Sequence, residues 1–338
     1  MRFLLLGLGS VGKSFLELVE KQKEDLRRRY GLTPRLVGVV DSKGSALCAQ
    51  GIDPAEILAT KEKSGTVASY PKYGNSRTDT GLIEESPADI VIEATPTNME
   101  NPTPALQRLQ AGFRTGKHVV SVNKGPLAVA LPALQELCAY NRVDFRFSGT
   151  VGGGTPMLPW AMECTRGDEV IRIQAILNGT TNYILTEMEE KGVSFASALA
   201  EAQQLGYAET DPSADVDGID AATKLVIIAN HILEKPTSLG DIHVEGIREI
   251  KLKPEADTRM KLIAEIGETM RVTPQRIPAD SPLNVGGSLN AITLTLKTSG
   301  EVTLVGRGAG GPETATAILR DWLDIWLTHP GRKERGTA

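Results

Sequence analysis

The chain has 338 residues, long enough for two domains and a sizeable core, and its 41% hydrophobic and 23% charged residues are those of an ordinary water-soluble protein. A net charge of −5, with the one arginine run ("EDLRRRY", 24–30) preceded by acids, excludes nucleic acid as a partner. Cys48, Cys138 and Cys164 lie far apart without CxxC spacing and the four histidines are scattered, which excludes a zinc site and a disulfide framework and fits a reducing cytoplasm. No apolar run of roughly 18 residues and no signal-peptide pattern directs the chain to a membrane.

The first predicted element is a buried parallel strand over Phe3–Leu6. It runs into Gly7, Gly9 and Gly12 in GxGxxG spacing, and a helix follows with Val11, Phe15, Leu16 and Val19 on one face. A lone GxGxxG is a weak signal; strand before and helix after make it specific for a dinucleotide. Gly7 permits the tight turn, Gly9 lets the backbone approach the pyrophosphate, and Gly12 lets helix and strand pack closely. The helix N-terminus at Ser10 and Val11 then faces the phosphates.

The second strand, "PRLVGVVD", ends in Asp41, placed for hydrogen bonds to the ribose hydroxyls of NAD, while Lys43 offers a contact to the 2′-phosphate of NADP. Both cofactors stand at this point. Further strands are expected at "DIVIEAT" (89–95), "HVVSVNK" (118–124) and "DFRFSGT" (144–150), separated by the helices "TPALQRLQAGF" and "LPALQELCAYN". This alternation predicts an α/β fold, a Rossmann-type doubly wound parallel sheet, over residues 1–148. Ligands of such sheets sit at the carboxyl ends of the strands, where Thr95 and Lys124 fall.

From about residue 150 the rhythm changes, and 149–304 are expected to form a second, α+β domain for substrate and dimerisation. "SGTVGGGTPMLP" (148–159) is a glycine-rich crossing bounded by apolar residues. "VIRIQAILNGTTNYILTEMEEKG" reads as a strand, a polar turn over Asn178–Asn182, and a helix. Asn178, Gly179 and Thr180 at a strand end suit an amino-acid carboxylate, or act only as turn and helix cap. "GYAETDPSADVDGIDAATKL" (206–225) gathers Glu209, Asp211, Asp215, Asp217 and Asp220 ahead of Lys224. Asp220 and Lys224 share a face at the start of a predicted helix 216–233 whose remainder, "LVIIANHIL", is apolar. A lysine held by acids in such a setting is poised for proton transfer. Two strands joined at Ser299–Gly300 and a helix from "TATAILRDWLDIWL" close the chain and are expected to complete the first domain over 305–330, with 331–338 as a tail.

"LNGTTNYIL", "GYAETDPSADVDGIDAATKL" and "VGRGAGGPETA" (305–315), with the glycine fingerprint and "SVNKGPLA", resemble homoserine dehydrogenase from Arg2 to about Trp326. The resemblance implies an NAD- or NADP-dependent oxidoreductase that interconverts L-aspartate 4-semialdehyde and L-homoserine, in threonine and methionine biosynthesis, as a cytoplasmic homodimer. It implies Lys224 as proton donor to the carbonyl oxygen, with Asp220 orienting it. Glu209 would hold the substrate ammonium, Asp215 would lie near the reacting oxygen, and Asn178, Gly179, Thr180 and Tyr207 would line the substrate. Lys124 would touch both cofactor and substrate; Thr95, Gly206, Glu209, Gly308 and Gly310 would be further cofactor contacts.

Two departures bear on this. Members of the family often carry a glutamate where Ser148 stands, and that acid binds Na+ or K+ together with the carbonyls matching Val151, Gly153 and Thr155. Serine removes the charge, so weak or absent cation dependence is expected. The chain also stops where longer members continue into a regulatory ACT domain. Rival readings are a related dehydrogenase of another small hydroxy amino acid and a non-catalytic nucleotide-sensing protein.

Overall fold

A computed structural model describes residues 1–252 and 255–328. The tail expected over 331–338 lies outside the described residues. The chain divides into two units, one formed by Met1–Thr150 with the segment from Gly310 onward, the other by Val151–Ala309.

In the first unit the expected strands are present, the first one residue longer and the others shorter: β1 (Arg2–Leu6), β2 (Arg35–Val40), β5 (Ile90–Glu93), β6 (His118–Ser121) and β7 (Phe145–Arg146). Two short strands, β3 (Ser45–Leu47) and β4 (Gly74–Asn75), extend the sheet, whose order is β4-β3-β2-β1-β5-β6-β7. β2, β1, β5, β6 and β7 pair in parallel, while β3 and β4 are antiparallel additions. The order reverses beside β1, and the strand ends there open a crevice. The helices are α1 (Ser10–Tyr30), α2 (Pro54–Ser64), α3 (Gly81–Glu85), α4 (Thr103–Arg114) and α5 (Lys124–Tyr140). α5 starts earlier than its apolar pattern suggests because Asn123 caps it, accepting from the Gly125 N–H at 3.1 Å, and it kinks at Ala130, ahead of Pro132.

The second unit contains α6 (Met157–Cys164), β8 (Val170–Ile176), α7 (Gly179–Lys191), α8 (Phe195–Gln204), α9 (Ser213–Val216), α10 (Ile219–Ile232), β9 (His243–Val244), β10 (Thr258–Ile266), β11 (Met270–Pro278), β12 (Leu289–Leu296) and β13 (Gly300–Arg307). Its sheet has the order β13-β12-β8-β10-β11-β9, antiparallel except for the β9–β11 pair. The helix expected without interruption over 216–233 is in fact two. Gly218, at φ 82°, turns the chain left-handed between α9 and α10, and a side chain there would press on Val244.

The last helix, α11 (Gly311–Thr328), returns to the first unit and packs along α1. Trp322 is fully buried, with its ring 4.9 Å from Phe3 and 6.0 Å from Phe15. One helical position earlier, Asp321 is 2% exposed and accepts the Ser148 N–H at 2.8 Å. Burial pushes its carboxyl up to about 6, a rise that the bond from Ser148 only partly offsets. A raised carboxyl favours the protonated form in the fold, so its stabilisation is full below the ordinary value near 4 and is lost as pH rises through about 6. The shift corresponds to an energy on the order of 3 kcal/mol. Asp321→Asn, whose side-chain oxygen still accepts from Ser148, is therefore expected to match or exceed the wild type in stability at pH 8 and to flatten this part of the pH dependence. Urea unfolding at pH 5 and pH 8 measures it; a variant clearly weaker than wild type at pH 8 contradicts it.

Candidate active site

In the first unit a cleft of about 390 Å³ opens at the carboxyl ends of β1, β2 and β5, lined by Gly7, Gly9, Asp41, Lys61, Thr95 and Asn123 among others. Its size falls in the roughly 300–1,000 Å³ range of small-molecule sites. The glycine turn is built as its spacing requires. A Cβ on Gly12 would stand 2.1 Å from the Gly7 carbonyl oxygen, and one on Gly7 would stand 2.6 Å from the Ala94 backbone. Nothing lies within 4 Å of the Cβ position of Gly9, which leaves its backbone open to a phosphate at the α1 N-terminus. Gly310 and Gly311 start α11 beside this turn, where a Cβ on Gly311 would meet the Ser10 hydroxyl at 2.8 Å. These features fit a dinucleotide.

Asp41 differs from its sequence expectation. Its Oδ1 accepts from the N–H groups of Lys43 and Gly44 at 2.8 and 3.0 Å and from the Thr66 hydroxyl at 3.2 Å. Its Oδ2 accepts from Lys61 Nζ at 2.7 Å and the Val67 N–H at 2.8 Å. Burial works to raise its pKa, but Lys61 and the backbone donors outweigh it and hold the carboxyl below the usual range. Both oxygens are thus committed to the chain. Lys43 contributes its backbone N–H to Asp41 while its residue is exposed; the lysine lining the cleft is Lys61, which sequence spacing did not single out.

Thr95 lines the cleft and is held from below by Glu93, whose Oε1 accepts both its N–H, at 2.9 Å, and its hydroxyl. Glu93 is completely buried, and burial pushes its carboxyl up despite those donors. Asn123 donates to the Thr95 hydroxyl and the Pro96 carbonyl, both at 3.1 Å. Lys124 follows as the first residue of α5, with its N–H on the Thr97 hydroxyl at 3.2 Å.

In the second unit the acid-rich segment folds back on the "LNGTT" turn. The Lys224 ammonium, buried one turn into α10, donates to Asp220 Oδ2 at 2.6 Å and to the Leu177 carbonyl at 2.7 Å. Asn178 caps α7, its Oδ1 accepting the Thr181 N–H at 2.9 Å. That bond fixes which way the amide points. Its Nδ2 therefore faces the acids and donates to Asp215 Oδ1 at 2.6 Å and Asp220 Oδ2 at 2.9 Å. Burial, and then the charge of Asp220, pushes the Asp215 carboxyl up, with Asn178 pulling the other way. One amide thus bridges two carboxylates, one of which holds the lysine.

Thr180 donates to the Tyr207 carbonyl at 2.7 Å, and the Tyr207 ring lies 5.0 Å from that of Tyr183, so residues 206–208 close on the start of α7. Gly206 follows α8 in a left-handed turn, and Glu209 is exposed just beyond. Sequence reasoning missed Asn290, which is 1% exposed and donates to the same Leu177 carbonyl as Lys224, at 3.2 Å. A buried asparagine opening the apolar strand "NAITLTL" was the available signal. Val151 is fully buried, and Gly153 and Thr155 pack on the segment before α11: the Thr155 hydroxyl donates to the Arg307 carbonyl at 2.8 Å, and a Cβ on Gly153 would stand 2.2 Å from the Gly308 carbonyl oxygen. Gly308 is thereby enclosed by Gly153 and Asn290. The Thr155 carbonyl accepts the Met157 N–H at 2.8 Å. Among the described residues no group of three His, Cys, Asp or Glu side chains is gathered to hold a metal ion.

Known proteins of one family match nearly the whole chain. The family profile described as homoserine dehydrogenase matches residues 156–323. A homoserine dehydrogenase of Methanocaldococcus jannaschii is 40% identical, covering 96% of this chain and 98% of its own. An NAD(+)-dependent homoserine dehydrogenase of Pseudomonas canavaninivorans is 35% identical, covering 98% of each. Among solved structures, a hyperthermophilic archaeal homoserine dehydrogenase in complex with NADPH superposes with a TM-score of 0.85 at 29% identity, over 97% of this chain and 98% of the other.

Proposed function

The chain belongs to the homoserine dehydrogenase family, and on that premise we propose that it reduces L-aspartate 4-semialdehyde to L-homoserine, and runs the reverse, with Lys224 as the proton donor. The observation that carries the assignment is the Lys224–Asp220 pair at 2.6 Å, bridged by Asn178 to Asp215. The reduced nicotinamide supplies the hydride. Lys224 gives its proton to the aldehyde oxygen as negative charge develops there, and takes it back when homoserine is oxidised. Asp220 holds the ammonium in place. Asp215 faces the same group and orients the reacting oxygen, and Glu209, exposed in the adjoining loop, pairs with the substrate ammonium. Lys124, at the start of α5, is assigned to cofactor and substrate. A steady-state assay with aspartate semialdehyde and NADH or NADPH tests the proposal; no turnover with either cofactor defeats it.

Cofactor choice is assigned to Lys61. With Asp41 committed to the chain, the cleft offers a cation to a 2′-phosphate. A charge-assisted hydrogen bond contributes about 1.5–3 kcal/mol. Lys61→Ala is therefore expected to weaken NADPH binding by at least roughly tenfold. It removes only one of the donors on Asp41, and the backbone donors remain, so NADH is expected to bind about as well as before. Fluorescence titration of both reduced cofactors checks this, and equal weakening of the two contradicts it.

We further propose homodimerisation through the six-stranded sheet of the second unit. Sedimentation at micromolar concentration tests the assembly. A cytoplasmic setting accords with three free cysteines and with the absence, among the described residues, of any helix long and apolar enough to cross a membrane. Because Ser148 brings no charge, monovalent-cation activation is expected to be weak or absent. Titration with sodium or potassium chloride against an organic-cation control at constant ionic strength is expected to give no saturable activation. Several-fold activation at low millimolar salt contradicts that expectation.

A further inference from the structure

Lys261 lies on β10, 3% exposed, outside the group assigned to the reaction. Its ammonium donates to three oxygens, Asn182 Oδ1 at 3.0 Å, the Thr186 hydroxyl at 3.4 Å and the Val285 carbonyl at 2.7 Å. All three are neutral. Burial lowers its pKa to about 8, against the opposing pull of Glu189 and Glu190 on α7. A buried ammonium held only by neutral oxygens carries a desolvation cost that an apolar side chain would not.

What the ammonium holds leads to the proton donor. Asn182 also donates to Val285 and Leu289, at 3.1 and 3.0 Å, so Lys261 and Asn182 together tie residues 285–289 to α7. Within that segment the Ser288 carbonyl abuts Gly179, where a Cβ would stand 2.7 Å from its oxygen. Asn290, the first residue beyond 285–289, donates to the Leu177 carbonyl, which also receives Lys224 Nζ. Moving 285–289 therefore moves both the start of α7 and the acceptor that fixes Lys224.

We propose that Lys261 is a positioning residue for the reaction, clamping residues 285–289 onto α7 and so setting the Leu177 carbonyl and the Asn178–Gly179 turn against which Lys224 is aligned. The inference rests on Lys224 being the proton donor. Lys261→Met and Lys261→Gln are to be compared with wild type and Lys224→Met by thermal melting, NADH or NADPH titration, kcat and KM for homoserine, and the pH profile of kcat. Lys261→Met is expected to bind cofactor within about twofold of wild type and to lose up to about 100-fold in kcat, as displaced catalytic groups do. Its pH profile of kcat should differ from that of wild type. Lys261→Gln keeps N–H donors for Asn182 and Val285 and should recover part of the loss. Unchanged kcat and pH profile with only a lower melting temperature overturns the proposal, as does failure of both variants to fold, since either makes Lys261 merely structural. An active Lys224→Met would instead defeat the assignment of the proton donor itself.

Discussion

Lys224→Met is expected to retain the fold and cofactor binding while lowering kcat by roughly 10²–10⁴-fold, the contribution of a positioned general acid. The substitution removes the donor that Asp220 and the Leu177 carbonyl share. Breaking a buried ion pair costs about 3–5 kcal/mol where nothing compensates. Here Asn178 still donates to Asp220 and Asn290 still donates to Leu177, so the stability loss should fall toward the lower end. Cofactor titration and thermal melting distinguish a folded, inactive protein from a damaged one. Turnover within a few-fold of wild type would make the lysine structural.

Asn178→Ala is expected to reduce kcat/KM for homoserine by on the order of 100-fold, the effect of misplacing catalytic groups. Loss of the α7 cap adds about 1 kcal/mol of destabilisation. The same side chain separates Asp215 from Asp220 by donating to both. Without it the two carboxylates face each other unbridged, and the Asp215 carboxyl, already pushed up by burial and by Asp220, should rise further. A carboxylate with a raised pKa takes up its proton at higher pH. The variant should therefore lose activity, as pH falls, earlier than wild type does. Asn178→Ser retains a capping oxygen but cannot bridge both acids, so it should recover stability more than rate. A serine variant with full activity would show that the bridge does not matter.

The glycine turn, the parallel strands and the Asp220–Lys224 pair were legible because each is a short-range consequence of sequence. Four apolar residues before Gly7 have only one economical place, a buried strand. Gly12 is demanded by a carbonyl five residues away that no side chain can clear. Residues 220 and 224 share a helix face by geometry alone. Even here local pattern overran: the helix expected from 216 breaks at Gly218, whose left-handed turn is needed where the chain passes Val244. The hairpin of β10 and β11 carried little local signal, since "TRMKLIAEI" and "MRVTPQRIP" mix charges and proline with their apolar residues. Their strand state comes from pairing with each other and with β8.

Sequence by itself determined the kind of sheet, the glycine turn and the pairing of Lys224 with Asp220. Tertiary structure alone decided how those groups are held. Asn178 reaches Asp215 and Asp220 across 37 and 42 residues, and Asn290 reaches Leu177 across 113. Asp41 is claimed by Lys61 rather than left open to a ribose. No periodicity encodes such partners, because a buried polar atom must be satisfied by whichever donor the fold brings within about 3 Å, and that choice is made only when distant strands and helices pack.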